Sequence, residues 1–267
     1  MDSDQVLTLM KTVAAEVITP RFRSLADGEV MEKNPGDLVT VADHESEAIL
    51  TRELTGAYPD AFILGEERTS ADPTTLERYL AAEHAFTVDP VDGTKNFVRG
   101  VPIWATLIAL MEGDQVVVGM VSAPALGRRW WAARGHGAFA GRHRAAATAI
   151  RVSGVSRLSD ASLCYSELRE WAEAGRLDGM LDLVGRCWRT RGYGDFYGYV
   201  LVAEGAVDVM AEPELSLWDM AALVPIVTEA GGTFTDLAGQ PGPAGGSAVA
   251  TNGKLHEDVL DRLGSAR

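Results

Sequence analysis

The hexapeptide DPVDGT, which begins at Asp89, places several chemically useful groups on a short stretch of backbone. Asp89 and Asp92 supply two carboxylates with the carbonyl of Val91 between them, and hard divalent cations prefer such oxygen ligands. Gly93 allows a ligand to approach the backbone closely, and Thr94 adds a hydroxyl just before a predicted helix. Because the N–H groups at a helix N-terminus attract anions, the hexapeptide predicts a metal site beside a phosphate site.

The same motif also suits a plain structural role. The segment HAFTVD predicts a strand that ends at Asp89, after which Pro90 is expected to turn the chain outward because it lacks an N–H. Tight turns in which an aspartate caps a following helix are common. The pattern D-x-x-D-G alone therefore leaves a turn and a metal site as alternatives.

Other carboxylates follow or begin predicted elements. Glu66 comes after the predicted strand AFILG, and Asp219 lies in the first turn of an apolar helix. Asp43 lies in the first turn of a helix that the pattern T-x-x-D from Thr40 starts. Each residue also has a structural interpretation, as a solvated loop residue for Glu66 and as a favourable charge at a helix start for the aspartates.

Composition narrows the classes of function. The chain of 267 residues has a formal net charge of −14, which disfavours binding to nucleic acid and to anionic membranes. Cys164 and Cys187 form no C-x-x-C pair and no histidines pair as H-x-x-x-H, which favours a reducing cytoplasm and disfavours zinc. The apolar run 101–111 is too short to span a bilayer, and the apolar spacing over 6–17 predicts an amphipathic helix rather than a signal peptide. We expect a cytoplasmic protein.

Predicted strands and helices alternate along the chain. Residues 104–140 run apolar between turn residues, which predicts an antiparallel meander. Further on, short strands alternate with helices, among them SLWDMAALVPIVTEAGG, which Gly231 and Gly232 are expected to stop. We expect an N-terminal α+β half over 1–150, which carries GEE and DPVDGT, and a C-terminal α/β half over 151–267, which carries LWD.

Three motifs, GEE, DPVDGTKNF and WDMAALVPIVTEAGG, in this order and spacing resemble the inositol monophosphatase family of Mg²⁺-dependent phosphatases. The resemblance covers nearly the whole chain, from DLVTVAD to the last predicted strand. It implies a layered αβαβα sandwich, of α+β or α/β class, that is also found in fructose-1,6-bisphosphatase. It further implies two or three Mg²⁺ ions per site, with Mn²⁺ as a substitute, a small phosphate-ester substrate and a homodimer.

The resemblance assigns roles to individual residues. The implied metal ligands are Glu66, Asp89, the carbonyl of Val91, Asp92 and Asp219. Glu66 and Thr94 resemble the pair that activates the attacking water. Asp43 and Lys33 match positions near the metals, and Asp43 is expected to be catalytic together with Glu66 and Thr94. Asp92, Gly93 and Thr94 match positions that hold the phosphate. Bound metal ions neutralise a phosphate dianion and lower the pKa of a bound water, so a metal-activated water attack is expected.

Substrate selectivity is expected outside these shared motifs. Asp195 stands in GDFY, where inositol-type relatives carry small residues, and Glu212 matches a glutamate that contacts substrate. Two carboxylates favour a cationic leaving group such as L-histidinol over a neutral polyol, and the motif segments also resemble the histidinol-phosphatase branch of the family. Hydrolysis of histidinol phosphate in histidine biosynthesis is therefore the favoured function. Asp195 equally suits a helix N-cap, and Arg191 is predicted to contact Asp195 or the phosphate.

Two other functions stay open from the sequence. An inositol-1-monophosphatase, or a broad sugar-phosphate phosphatase, would use the same mechanism with a different pocket. A non-catalytic interaction protein is the other alternative, although the complete set of acidic motif residues argues against it. The polar segment 67–82, after GEE, is expected to be a loop that closes over the site.

Overall fold

A computed structural model describes residues 3–71 and 74–264. Its strands form a hairpin and two sheets, one of seven strands and one of five. The hairpin pairs β1 (Val30–Asn34) with β2 (Asp37–Thr40). The larger sheet consists, in spatial order, of β3 (Phe62–Gly65), β4 (His84–Asp92), β5 (Ala105–Glu112), β6 (Gln115–Ala123), β7 (Arg128–Ala133), β8 (Ala138–Gly141) and β9 (Thr148–Ala149). The smaller sheet contains β10 (Ser162–Cys164), β11 (Arg189–Arg191), β12 (Val209–Glu212), β13 (Thr233–Thr235) and β14 (Ala248–Thr251), in the order β11-β10-β12-β14-β13.

Helices cover and separate the two sheets. They are α1 (Ser3–Val13), α2 (Val41–Ala57), α3 (Glu66–Ala71), α4 (Thr74–Leu80), α5 (Thr94–Val98), α6 (Leu168–Glu173), α7 (Leu177–Arg186), α8 (Asp195–Ala203), α9 (Leu217–Ala221), α10 (Leu223–Glu229) and α11 (His256–Leu263). α1 and α2 pack on one face of the larger sheet, α8 and α10 lie between the sheets, and α7 and α11 cover the smaller sheet. This succession confirms the predicted layered α/β sandwich.

The first helices follow from the sequence pattern. Val6, Met10 and Val13 recur at helical spacing and are buried against α2 and the larger sheet. α2 begins at a capping box, in which the amide of Thr40 donates to the carboxylate of Asp43. Both predictions, the amphipathic helix and the T-x-x-D helix start, are confirmed.

The predicted meander is also confirmed, since β4 to β8 pair in antiparallel fashion one after the next. Its strand β5, which pairs with β4 and β6, is apolar on both faces. Leu107 contributes to the core between the two sheets, and Ile108 to the core beneath α1 and α2. A strand covered by helices on both faces reads as a continuous apolar run, as WATLIAL does.

Two elements differ from the prediction. The segment SLWDMAALVPIVTEAGG forms two helices, α9 and α10, separated at Ala222, because Pro225 lacks the N–H that would bond to the carbonyl of Ala221. The polar segment 67–82 contains parts of α3 and α4 instead of a loop, although residues 72 and 73 lie outside the described residues. A movement of this segment over the site stays a prediction.

The core between the two sheets takes side chains from both predicted halves, including Leu107 and Trp130 before residue 150 and Tyr199 and Ile226 after it. The division into halves at residue 150 stays a prediction. No helix in the described ranges 3–71 and 74–264 is long and apolar enough to cross a membrane.

Candidate active site

The pairing of β3 with β4 brings the two acidic motifs together. These strands are parallel, with Gly65 opposite Val88, so that Glu66 and Asp89 follow at the same edge of the sheet. The prediction that β4 ends at Asp89 is wrong. The strand continues to Asp92 through an irregularity, since the step from Asp89 to Asp92 on β4 faces only Leu107 to Ala105 on β5.

This edge of the sheet carries an acidic cluster. Asp89, Asp92 and Asp219 each offer a carboxylate oxygen, and these oxygens lie within 4.8 Å of one another. Asp219 comes from α9, where its carboxylate also accepts the amide of Ser216 at 2.7 Å in a capping box. The helix-start interpretation of Asp219 is therefore correct, and the same side chain also joins the cluster.

The cluster has the properties of a cation site. Asp89 is 1 % exposed, and its Oδ1 is buried with no hydrogen-bond partner among the described residues. Burial, followed by the charge of Glu66, raises the pKa of Asp89 and brings the pKa of Asp219 to about 8. Burial and then the charges of Asp195 and Asp219 raise the pKa of Asp92. A bound cation would supply the positive charge that these crowded carboxylates lack.

The predicted ligands fit a hard metal ion. The cavity at this edge is lined by Glu66, Asp89, Val91, Asp92 and Asp219, which are the residues that would hold it. Carboxylate and carbonyl oxygens are the donors that Mg²⁺ and Mn²⁺ take in preference to sulfur. The orphaned oxygen of Asp89 supports this fit independently of the motif.

Glu66 is held by a lysine from the β-hairpin. Lys33 Nζ lies 2.8 Å from Glu66 Oε1 and 3.1 Å from Glu67 Oε1. Burial opposes the charge of Lys33, but Glu66 and then Glu67 outweigh it and raise the pKa of the ammonium. Burial and the charge of Glu66 raise the pKa of Glu67 to about 7. The hairpin thus places a cation directly behind the predicted metal ligand.

Glu47 is a positioning residue that the sequence analysis missed. Its buried carboxylate accepts the amides of Glu67 at 2.6 Å and of Arg68 at 3.0 Å, which caps α3 from a different helix. A Cβ on Gly65 would lie 2.3 Å from the carboxylate carbon of Glu47, so a larger residue there would displace the Glu47 carboxylate from its present position. Gly65, directly before the two glutamates, was the feature of the sequence that could have indicated a close approach of another side chain to this backbone.

Thr94 and Asp43 are joined by a hydrogen bond between their side chains. Thr94 Oγ1 lies 3.1 Å from Asp43 Oδ1 and 2.9 Å from the carbonyl oxygen of Val91. The other carboxylate oxygen of Asp43 accepts the amide and the hydroxyl of Thr40, and burial raises the pKa of Asp43 to about 6. Asp43 therefore reaches the cavity through Thr94, while its catalytic role stays a prediction.

Gly93 adopts a conformation that other residues disfavour. Its φ is 84°, and a Cβ there would lie 2.8 Å from the carbonyl oxygen of Ile103. Gly93 is the N-cap of α5 without a side-chain bond, so the alternative in which an aspartate of the motif caps this helix is wrong. The assignment of phosphate to Asp92, Gly93 and Thr94 stays a prediction, although all three line the cavity.

Asp195 lines the cavity close to Gly93, since a Cβ on Gly93 would lie 3.4 Å from Asp195 Oδ2. The φ of Asp195 is 50°, a left-handed conformation, and its Oδ2 accepts a hydrogen bond from Asn96 Nδ2 at 2.7 Å. The next amide, of Phe196, donates to Asp92 Oδ2 at 2.8 Å. The N-cap of α8 is Gly194, so the helix-cap interpretation of Asp195 is wrong and its side chain faces the cavity instead.

Glu212 is 4 % exposed and also lines the cavity. Tyr199 donates its hydroxyl to Glu212 Oε2 at 2.6 Å, and Ser166 donates to Oε1. Burial raises the pKa of Glu212 to about 8, although both hydroxyl bonds oppose this. Tyr199 and Ser166 were not found from the sequence, where they stand 13 and 46 residues from Glu212.

Arg191 is not among the described residues that line the cavity. It is exposed at the end of β11, and its Nη1 donates to the carbonyl of Thr190 at 2.7 Å. The structure gives it neither a contact with Asp195 nor a place at the cavity wall among the described residues. The side chain lies on the edge strand of the smaller sheet and is directed elsewhere.

A model of the inositol monophosphatase family matches residues 2–266. The chain belongs to this family. It is 52 % identical to a histidinol-phosphatase of Streptomyces coelicolor over 98 % of this chain and 97 % of the relative. It is 50 % identical to a histidinol-phosphatase of Mycobacterium tuberculosis, covering 94 % and 93 % of the two chains. A solved IMPase of Thermotoga maritima has the same fold, with a TM-score of 0.82, 27 % identity and coverage of 98 % and 97 %.

Proposed function

We propose that the protein hydrolyses L-histidinol phosphate to L-histidinol and inorganic phosphate with the help of Mg²⁺. The observation that carries this proposal is the pair Asp195 and Glu212, which face the cavity beside the acidic cluster. Their carboxylates complement the ammonium and imidazole of L-histidinol. The relatives that are about half identical along nearly their full length are histidinol-phosphatases, which supports the same substrate.

Five residues of the cavity are proposed to hold the metal ions. Glu66, Asp89, Asp92, Asp219 and the carbonyl of Val91 would hold two or three Mg²⁺ ions, with Mn²⁺ as a substitute. When bound, the ions neutralise the phosphate dianion and make a coordinated water more acidic. No covalent bond between protein and phosphate is required.

Glu66 and Thr94 handle the attacking water. The hydroxyl hydrogen of Thr94 is directed to Asp43 or to the carbonyl of Val91, so its lone pairs can accept a hydrogen bond from water. Glu66 then takes the proton as the water oxygen attacks phosphorus and the bond to the leaving oxygen breaks, and the leaving oxygen takes a proton from solvent water to give the alcohol. Lys33 holds Glu66 in place at 2.8 Å.

Selectivity comes from the carboxylates of Glu212 and Asp195, which line the same cavity as the acidic cluster. Glu212 is fixed by Tyr199 and Ser166, and Asp195 is fixed by Asn96. Fixed carboxylates bind a cationic group without losing side-chain freedom, whereas a neutral polyol leaves their charges without a partner. Inositol phosphate would therefore be hydrolysed by the same mechanism but less efficiently.

A direct comparison of substrates tests the proposal. Phosphate release with Mg²⁺ is measured from L-histidinol phosphate and from myo-inositol 1-phosphate, with Asp89→Asn as the blank. We expect kcat/KM to favour L-histidinol phosphate by about a hundredfold or more. Equal or reversed values would keep the metal mechanism and favour the alternative of a broad inositol or sugar-phosphate phosphatase.

We also propose that the protein is a cytoplasmic homodimer that supplies L-histidinol to histidine biosynthesis. The family resemblance supports the dimer, and the net charge of −14 supports a protein that avoids nucleic acid and anionic membranes. Sedimentation equilibrium of the Mg²⁺-loaded protein should give twice the 28.5 kDa of one chain. A mass of one chain would overturn the dimer without affecting the substrate.

A further inference from the structure

The cavity is lined by many more acidic than basic residues. Of the described residues that line it, ten are acidic and one, Lys95, is basic. The four predicted carboxylate ligands of the metals account for part of this acidity. Three further residues, Glu167, Glu170 and Asp195, also line it and are named the outer carboxylates. They are not among the predicted metal ligands, and a cationic ligand would complement their negative charge.

Arg169 Nη2 lies 3.6 Å from Glu167 Oε2 but is not among the described residues that line the cavity, whereas the other nearby cation, Lys95, lines it. The Nζ of Lys95 lies 3.7 Å from Glu167 Oε1. Burial raises the pKa of Glu170 and brings that of Asp195 to about 6, and in both cases the charge of Lys95 opposes the rise. Among the described residues that line the cavity, Lys95 is therefore the one cation that favours the ionised form of the outer carboxylates.

The ion pair between Lys95 and Glu167 is loose. At 3.7 Å it is longer than a hydrogen bond, and the two side chains are 53 % and 44 % exposed. Pairs of this kind contribute little stability, because water screens them and both side chains remain free to move. The ammonium of Lys95 can therefore leave the outer carboxylates at little cost.

The carboxylates deeper in the cavity differ from the outer ones. Glu212 accepts hydrogen bonds from Tyr199 and Ser166, and Asp92 accepts the amide of Phe196. Lys95 has no recorded contact with either carboxylate within the described residues. The lysine thus competes specifically for the outer carboxylates.

We propose that Lys95 is a specificity-determining residue that occupies the place of the substrate's ammonium group, and that this group displaces it from Glu167, Glu170 and Asp195. The inference rests on the proposed function and extends it by assigning Glu167, Glu170 and Lys95 to leaving-group recognition. Lys95 lies one residue after Thr94, so recognition of the leaving group and the phosphate site are adjacent on α5.

Binding of the free leaving group separates this role from phosphate binding. Calorimetry with the Mg²⁺-loaded enzyme measures the Kd of L-histidinol and, in a second titration, the Kd of inorganic phosphate. Lys95→Gln should bind L-histidinol about three- to tenfold more tightly, because its internal competitor is gone. The matched control, Lys11→Gln, removes the same charge from an exposed position on α1 and should leave both Kd values unchanged.

The outer carboxylates provide the reverse test. Glu167→Gln and Glu170→Gln should each weaken binding of L-histidinol about tenfold and leave the Kd of inorganic phosphate unchanged. A Lys95→Gln enzyme that binds L-histidinol no more tightly than wild type overturns the inference. A loss of phosphate affinity in that variant also overturns it, since Lys95 would then be a phosphate ligand.

Failure of the proposed function gives a different result. In that case the wild-type enzyme neither hydrolyses L-histidinol phosphate in preference to inositol phosphate nor binds L-histidinol. If the wild type does both and only the Lys95→Gln effect is absent, the proposed function stands and the inference alone falls.

Discussion

Replacing Asp195 by asparagine removes one negative charge from the cavity and keeps the surrounding geometry. Asparagine tolerates the left-handed conformation that the φ of 50° requires, and its carbonyl oxygen can still accept the bond from Asn96. The amide of Phe196 remains in place to bond to Asp92. The variant therefore isolates the charge of Asp195, which Asp195→Ala would not, because alanine disfavours this φ.

The expected loss follows from the electrostatics of the site. An ammonium about 4 Å from a carboxylate gains about 4 kcal/mol at an effective dielectric constant of about 20. The cavity is open to water, which screens about half of this interaction energy, and Glu212 stays in place to contact the leaving group. We expect Asp195→Asn to lose about 2 kcal/mol of transition-state stabilisation, or about 30-fold in kcat/KM, with L-histidinol phosphate.

The assay compares kcat/KM for two substrates in the same enzyme preparation. With myo-inositol 1-phosphate, which has no cationic group, the variant should stay within about threefold of wild type. An equal fall with both substrates would mean that Asp195 acts on the metal site rather than on the leaving group. An unchanged kcat/KM with L-histidinol phosphate would refute the proposal that Asp195 contacts a cationic leaving group.

Three further predictions concern the metal side of the cavity. Burial and then Glu66 raise the pKa of Asp219 to about 8, above its unfolded value near 4, so the native state binds the extra proton between these values. The metal-free protein should therefore lose stability as pH rises from 5.5 to 8.5, and its Tm should fall by about 5 °C or more. Bound Mg²⁺ should remove this difference in Tm, and a Tm of the metal-free protein that rises with pH would contradict the reasoning. Gly93→Ala places a Cβ 2.8 Å from the carbonyl of Ile103 at a φ of 84°, and should cost about 1–3 kcal/mol in urea unfolding together with most of the activity. Glu47→Gln loosens the start of α3 and thus Glu66, so the Mg²⁺ concentration for half-maximal rate should rise about tenfold or more, and an unchanged Mg²⁺ titration would exclude this positioning role.

Local sequence patterns were enough to predict the positions of several residues of the site. The capping patterns at Thr40 and Ser216 determine where α2 and α9 begin, and hence where Asp43 and Asp219 lie. The two acidic motifs after β3 and β4 meet because parallel strands end at one edge of the sheet. Such features depend on neighbours in the chain or on strand direction, which residue patterns encode.

Contacts between distant segments could not be predicted in the same way. Glu47 caps α3 from 20 residues away, and Tyr199 and Ser166 orient Glu212 from two other elements. The left-handed backbone conformation of Asp195 could not be predicted either, because an aspartate before an apolar helix normally suggests an N-cap. These features arise only when elements that are far apart in the chain pack against each other.

The most direct test of the central claim is a Mg²⁺ titration of L-histidinol phosphate hydrolysis by wild type and Asp89→Asn. The account predicts that wild-type activity appears with Mg²⁺, vanishes on chelation and returns when the ion is restored. Asp89 is buried in the acidic cluster with an unpartnered oxygen, so the variant should lose about a thousandfold or more in kcat/KM. Hydrolysis that continues without metal, or an Asp89→Asn enzyme as active as wild type, would contradict a metal-dependent site at the ends of β3 and β4.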